Sequence, residues 1–139
     1  MAAQKRLSAF EKRQRAERAG RRAEIFAALW LMIKGYRVLA WRFRTQEGEV
    51  DLIARRGSTL IFVEVKARST HEEAIWAVTP QNEARVSEAA VIWLAQNAPH
   101  YQGNIRYDVI TFAKNWPKHH KDAWRPGWNQ HSVNQGRFF

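Results

Sequence analysis

Glu49, Asp51, Glu64 and Lys66 fall within one short stretch, residues 48 to 66 (GEVDLIARRGSTLIFVEVK). Carboxylates grouped beside a lysine can share a proton, pair with the ammonium, or hold a hard divalent cation. Which of these applies depends on whether the side chains meet. Val50, Leu52 and Ala54 alternate with Asp51, Ile53 and Arg55, the period of a strand, and Leu60 to Val65 is a β-branched and aromatic run. Arg56-Gly57-Ser58-Thr59 between them reads as a turn. With Gly57 and Ser58 as a two-residue loop, Arg56 pairs with Thr59, which sets Ile53 opposite Phe62, Asp51 opposite Glu64 and Glu49 opposite Lys66. A four-residue loop keeps the same register, and an odd loop splits the pairs. Val50, Leu52, Ala54, Ile61, Val63 and Val65 then make the other face apolar. Opposed side chains sit about 5 Å apart at Cβ, where two like charges are destabilising. Ile53 and Phe62 share the charged face, so it is partly covered, and covered carboxylates require partners. The competing reading is a solvated sheet face carrying ordinary surface charges.

The elements around the hairpin follow from pattern. A helix is expected over roughly 8 to 34, with a joint at Gly20 and with Phe26, Leu29, Trp30 and Ile33 as its core stripe. Glu24 lies on another face, lined by Ala27, Ala28 and Leu31. Gly35 suits the C-terminal cap. Tyr36 to Arg44 reads as a strand, with Val38 and Ala40 on one face and Leu39, Trp41 and Phe43 on the other; Arg42 and Arg44 add charge near the hairpin. Ser69 to Val78 has little periodicity and reads as a loop in which His71 is solvated. Thr79-Pro80 starts a second helix, because Thr caps the first amides and Pro fits the first helical position; Val86, Ala90, Trp93 and Leu94 form its buried stripe. Ile105 to Phe112 is a last strand with a structural Asp108. Lys114 to Phe139 holds Trp116, Trp124 and Trp128, His119, His120 and His131, and Lys114, Lys118, Lys121, Arg125 and Arg137. Such a tail can stack on unpaired bases. Pro117, Pro126 and Gly127 favour instead a tail that wraps back over the sheet edge, and His119-His120 is a poor metal pair because adjacent residues rarely aim at one ion.

Gly20-x-x-Ala23-Glu24, then GEVDLIA (48 to 54), FVEVKAR (62 to 68) and Thr79-Pro80 together closely resemble the bacterial YraN-type family. That family is similar to the PD-(D/E)xK nuclease superfamily and to archaeal Holliday junction resolvases, and the resemblance covers roughly residues 15 to 113. It implies an α/β, restriction-endonuclease-like sandwich with an αβββαβ core and a mixed sheet flanked by helices. It implies Mg²⁺ or Mn²⁺ held by Asp51, Glu64 and the Val65 backbone carbonyl, with Glu24 assisting directly or through water. Lys66 would orient or help deprotonate the attacking water, and Glu49, beside it by register, would tune it. Basic and glutamine residues follow the Thr-Pro pair in the family and face the site. Here the run is Gln81, Asn82, Glu83, Ala84 and Arg85, leaving Gln81 and Arg85 as the substrate-facing candidates.

The 139 residues suffice for one domain, divided as a basic N-terminal arm or helix extension (1–22), a nuclease-like α/β domain (23–113) and the aromatic and basic tail (114–139). The absence of cysteine excludes disulfides and thiolate zinc sites. A net charge of +10 points to a polyanion, nucleic acid before anionic membrane. Residues 1 to 22 hold Lys5, Arg6, Lys12, Arg13, Arg15, Arg18, Arg21 and Arg22 against Glu11 and Glu17, a local charge of +6. The expected nucleic-acid contacts are those from Lys12 to Arg22, together with Arg42, Arg44, Arg68 and Arg85. Ile25 to Ile33 is too short to span a bilayer, and with Glu24 before it and no small-residue cleavage site after it, it is no secretion signal. The expectation is a cytoplasmic, metal-dependent nuclease acting on DNA, branched DNA included, or on RNA, with a homodimer left open. The alternative is a nucleic-acid-binding module with the same fold and no turnover; a third reading is a basic scaffold on ribosomal RNA or an acidic protein.

Overall fold

Strand alternation in the middle of the chain and two amphipathic helices on either side of it generate a five-stranded mixed sheet. The computed structural model describes residues 8 to 126; Lys5, Arg6, Gly127, Trp128, His131 and Arg137 lie outside them. The order is α1 (Ala9–Ile33), β1 (Arg37–Arg44), β2 (Glu49–Arg56), β3 (Thr59–Ala67), α2 (His71–Trp76), α3 (Pro80–Asn97), β4 (Asn104–Ala113) and β5 (Trp116–Trp124). The strands lie in sequence order, all neighbours antiparallel except β3 and β4. Parallel pairing there requires a crossover, and α2 and α3 supply it.

Two cores result, one on each face of the sheet. Ala23, Ala27 and Leu31 of α1 pack with Leu52, Ala54, Ile61, Val63, Ile110 and their neighbours. On the opposite face Val86, Ala89, Ala90 and Trp93 of α3 meet Ile53, Leu60, Phe62, Val109 and Trp124. No helix among the described residues is long and apolar enough to cross a membrane.

α1 departs from expectation twice. It runs through Gly20 without a joint, since a glycine costs a helix interior only about 1 kcal/mol relative to alanine. Its N-terminus is fixed by a capping box between Ser8 and Glu11, and its C-terminus by a Schellman turn in which Gly35 (φ +89°) and Tyr36 donate to the Met32 and Leu31 carbonyls. The buried stripe is Ala23, Glu24, Ala27 and Leu31, whereas Phe26, Leu29 and Ile33 are exposed and Trp30 is half-buried. Small side chains let the helix axis approach the sheet closely, and the bulky stripe is turned outward.

The hairpin register matches expectation from Arg56↔Thr59 through Ile53↔Phe62, closed by a loop with Gly57 at φ +60°. Val50 is a correction: it packs with Ile53 and Phe62 rather than with Leu52 and Ala54, on the stretch of β2 beyond its last pair with β3. A register shift after Val38 similarly separates Val38 from Ala40. The expected loop after Arg68 contains α2, capped by the Thr70 side chain at the Glu73 amide and anchored by buried Ala74. The first part of the expected tail is β5, which covers the β4 edge of the sheet as the wrap-back reading has it, and does so as a paired strand.

β5 is fixed to β4 by Asp108, which is fully buried. Its carboxylate accepts two bonds from Arg106 at 2.8 and 2.9 Å, one from His119 Nε2 at 2.7 Å and one from the Asp122 amide at 3.0 Å. Burial alone would raise its pKa, but the donors from His119, Arg106 and Asp122 prevail and hold it below the usual carboxylate range.

Gly48, just before β2, touches α3: a Cβ placed there would lie 1.9 Å from the Arg85 carbonyl oxygen. Only glycine allows the backbones to meet so closely. Gly48→Ala is expected to cost about 3 kcal/mol in urea unfolding, the upper range for overpacking against rigid surroundings.

Candidate active site

The β2–β3 ladder ends at Leu52↔Val63. Beyond that point the strands part, and Asp51 Oδ2 accepts a bond from the Val65 amide at 2.8 Å. A carboxylate thus occupies a place that a backbone carbonyl would fill in a continuing ladder. Asp51 therefore stands beside the mouth of the hairpin next to Glu64, although not as the cross-strand rung that the register implied, with Glu64 buried and Asp51 partly covered.

This pairing is electrostatically unfavourable. Burial first, then the charge of Glu64 and more weakly that of Glu24, push the Asp51 pKa up to about 8, against the pull of the Val65 amide and Lys66. Glu64 is likewise raised, by burial and by the charge of Glu49, although Lys66 and a hydrogen bond with Asp51 draw it back. Lys66 Nζ lies 3.3 Å from Glu64 Oε1 and is the lysine of the cluster. One ammonium thus faces two covered acids.

Glu24 is brought to the site by α1 but is occupied. Its Oε2 accepts from Trp41 Nε1 at 3.1 Å and lies 3.2 Å from Arg42 Nε. Arg42 has φ +55°, a left-handed conformation that a non-glycine residue rarely adopts, so β1 holds this guanidinium under backbone strain. Glu49 pairs with Arg44 at 3.5 Å, not with Lys66, because the strands have parted before that rung is reached. Among the described residues no group of three or more His, Cys, Asp or Glu side chains converges as a metal site. The oxygens available at the hairpin mouth are those of Asp51, Glu64 and the Val65 carbonyl.

The remaining candidates are placed as follows. Lys12, Arg13, Arg15, Arg18, Arg21 and Arg22 are all exposed along α1. Gln81 and Arg85 are exposed on the first turns of α3, where the contact of the Arg85 backbone with Gly48 brings the helix to the hairpin entrance. Arg68 donates to the Ala67 carbonyl at 2.7 Å. One cluster escapes sequence reading: Thr111, fully buried and paired in register with Lys66, has its hydroxyl 2.7 Å from His71 Nδ1 and 2.9 Å from His120 Nε2. His71 is thus tied down rather than solvated. Burial, followed by the charge of Lys118, lowers the His120 pKa. The packing of α2 on β4 brings His71 and the β4–β5 pairing brings His120 to Thr111, and the sequence spacing gives no sign of either.

The model of the family described as "Uncharacterised protein family UPF0102" matches residues 23–112. The chain belongs to the UPF0102 family. A UPF0102 protein of Maricaulis maris (strain MCS10) is 47% identical over 116 residues, covering 83% of this chain and 91% of the relative. One of Mesorhizobium japonicum is 47% identical over 112 residues, 80% of this chain and 90% of the relative. One of Chelativorans sp. (strain BNC1) is 47% identical over 120 residues, 86% and 94%. The UPF0102 match begins one residue before Glu24 and ends one after Thr111. It therefore spans every acid of the cluster, Lys66 and α3, and leaves out the first half of α1 and all of β5.

The raised Asp51 fixes a sign for pH dependence. Unfolded, an aspartate titrates near 4; folded, this one titrates near 8. Between those values the folded state binds the extra proton, so stability falls as pH rises from about 4 to about 8. Asp51→Asn keeps the acceptor for the Val65 amide and removes the charge. It is expected to unfold with a flatter pH profile and to exceed the wild type by on the order of 2 kcal/mol at pH 8, with little difference at pH 5, in urea melts.

Proposed function

We propose that the hairpin mouth is the active site of a divalent-metal-dependent phosphodiesterase acting on nucleic acid in the cytoplasm, built on a restriction-endonuclease-like sheet as the PD-(D/E)xK resemblance implies. The observation that carries this reading is the covered Asp51–Glu64 pair, in which two acids face one ammonium and both pKa values are raised. Such a pair costs stability in the free protein and gains it from a cation, which is the behaviour of a binding site more than of a scaffold. The donor set fits Mg²⁺ or Mn²⁺, since Asp51, Glu64 and the Val65 carbonyl offer only hard oxygens. When bound, the ion supplies positive charge to the scissile phosphate and acidifies water at the site.

The chain's own groups account for the rest of the chemistry. Lys66 spends one donor on Glu64, leaving two N–H groups for a phosphate oxygen or for the attacking water. It thereby opposes the negative charge that accumulates as the phosphodiester is attacked. Glu24, fastened by Trp41 and Arg42, acts as a fixed negative charge behind Asp51 that strengthens the site's demand for a cation. The cationic run on α1 between Lys12 and Arg22 covers about 15 Å of helix, enough to follow several phosphates of one strand. Arg42, Arg44, Arg68, Arg85 and Gln81 lie nearer the mouth and suit contacts to the substrate backbone.

Nucleic-acid binding without turnover is the second reading. It is favoured by one observation: after Thr79-Pro80, where the resemblance leads one to expect basic and glutamine residues, this chain carries Asn82, Glu83 and Ala84.

Calorimetric titration separates the two. Mn²⁺ or Mg²⁺ is expected to bind the wild type and to lose binding in Asp51→Asn. Cleavage of branched, duplex and single-stranded DNA and of RNA in the presence of metal is expected to fall at least 100-fold, about 2.7 kcal/mol of barrier, in Asp51→Asn and Lys66→Ala. Retention of a metal-dependent cleavage activity by both variants sinks the proposed site. Salt-sensitive binding of nucleic acid without cleavage by the wild type selects the second reading.

A further inference from the structure

The inward rotation of the alanine face of α1 leaves a bulky face uncovered. Ile25, Phe26, Leu29, Met32 and Ile33 recur at three- and four-residue spacing and are 42%, 51%, 49%, 56% and 79% exposed. On β1, Trp41 borders Ile25 and is 48% exposed, and Leu39 is 39% exposed. β1 is an edge strand, with β2 on one side and no strand on the other among the described residues. Large apolar side chains offer on the order of 150 Å² each, so seven about half exposed leave roughly 500–600 Å² of apolar surface. That is the upper end of what a free monomer shows and approaches the ~800 Å² that each partner contributes to a standard interface.

Charge decides what covers this face. Residues 25 to 33 (IFAALWLMI) contain no ionisable side chain, whereas six cations lie between Lys12 and Arg22 on the same helix. Nucleic acid or an acidic protein would be drawn to the cationic half and would gain nothing from the neutral one. A second copy of the chain presents the same neutral stripe, and an isologous contact needs only one self-complementary patch. Its direction is also determined. Parallel packing would lay two cationic runs side by side, while antiparallel packing sends each run beyond the end of the other's neutral segment, farther away than the ~8–10 Å over which salt screens charge.

We infer that the chain forms a twofold dimer by antiparallel packing of residues 25 to 33 of α1, with Leu29 against Leu29 of the second copy at the axis and Ile25 against Ile33. The inference does not depend on the chemistry proposed for the hairpin. The contact is apolar, so the dimer withstands salt that abolishes phosphate binding.

Sedimentation velocity on the full chain tests it. The expected mass is twice the 16.3 kDa of one chain at about 100 μM, at low and high salt alike, and Leu29→Glu is expected to halve it with an unchanged circular dichroism spectrum. The chain has no cysteine, which allows a second measurement that does not rely on a disruptive substitution. Leu29→Cys is expected to form a disulfide-linked dimer under mild oxidation, and Val91→Cys, on the outer face of α3 and 63% exposed, is not. A wild type that sediments as a monomer at that concentration overturns the inference. So does a dimer in which Val91→Cys cross-links as readily as Leu29→Cys.

Discussion

The bond from the Val65 amide to the Asp51 carboxylate is the constraint around which this molecule is arranged. A strand pair that continued past Leu52 and Val63 would satisfy its amides with carbonyls and would direct Asp51 and Glu64 away from the sheet as ordinary neighbours on one face. Here the ladder stops, a side chain takes over one of its bonds, and two acids are left beside each other with little water. Val50, on the stretch of β2 beyond its last pair with β3, packs on the α3 side of the sheet, so the charge cluster and the edge of the second core share this part of the strand. Fold and site are therefore one problem at this point of the chain.

The surroundings keep the break in place by close approach. Ala23 and Ala27 let α1 lie low enough on the sheet for Glu24 to reach β1, where Trp41 and Arg42 receive it. On the other face Gly48 lets the Arg85 backbone come against the hairpin entrance. Both contacts use small residues where larger ones would serve the core better by burial alone. The uncovered stripe on α1 is the counterpart: a helix that docks through alanine must turn its large side chains elsewhere.

How much of this was legible in the sequence follows from which rules are local. Strand alternation and a turn of defined length fix the hairpin register, because period two leaves no freedom once one pair is set; Ile53 opposite Phe62 could be read directly, whereas Asp51 comes beside Glu64 beyond the end of the ladder and not as one of its rungs. Thr79-Pro80 and Gly35 are equally local signals, and both helix ends stand where they indicate. The face of α1 was legible in part: the small residues Ala27 and Ala28 with Leu31 mark a packed face around Glu24, as found, but the helix carries a second stripe of bulky residues that also reads as core. Hydrophobicity favours the second, whereas the distance to the sheet selects the first. The Glu49–Lys66 contact failed because register reasoning assumes that the ladder continues. β5 and the His71–Thr111–His120 cluster depend on a pairing between β4 and the chain after Asn115, and Pro117 with its basic neighbours conceals a strand.

Asp108, fully buried, and Asp51, partly covered, show how the cost of desolvation is met in opposite ways within one sheet. Asp108, on β4, receives a bidentate guanidinium, an imidazole and a backbone amide, so its carboxylate is more stable ionised inside the protein than outside. Asp51, on β2, receives one amide and faces a second acid, and its ionised form is penalised. Desolvation is common to both; the difference lies in the donors supplied. A chain with 23 lysines and arginines has cations to spare, and Arg44 stands at the end of the neighbouring strand β1 and Arg68 just beyond β3. They are nevertheless engaged with Glu49 and with a backbone carbonyl. Lys66 is the one cation that pairs with the two acids, at Glu64, so Asp51 meets the cost of its position by holding its proton to a higher pH.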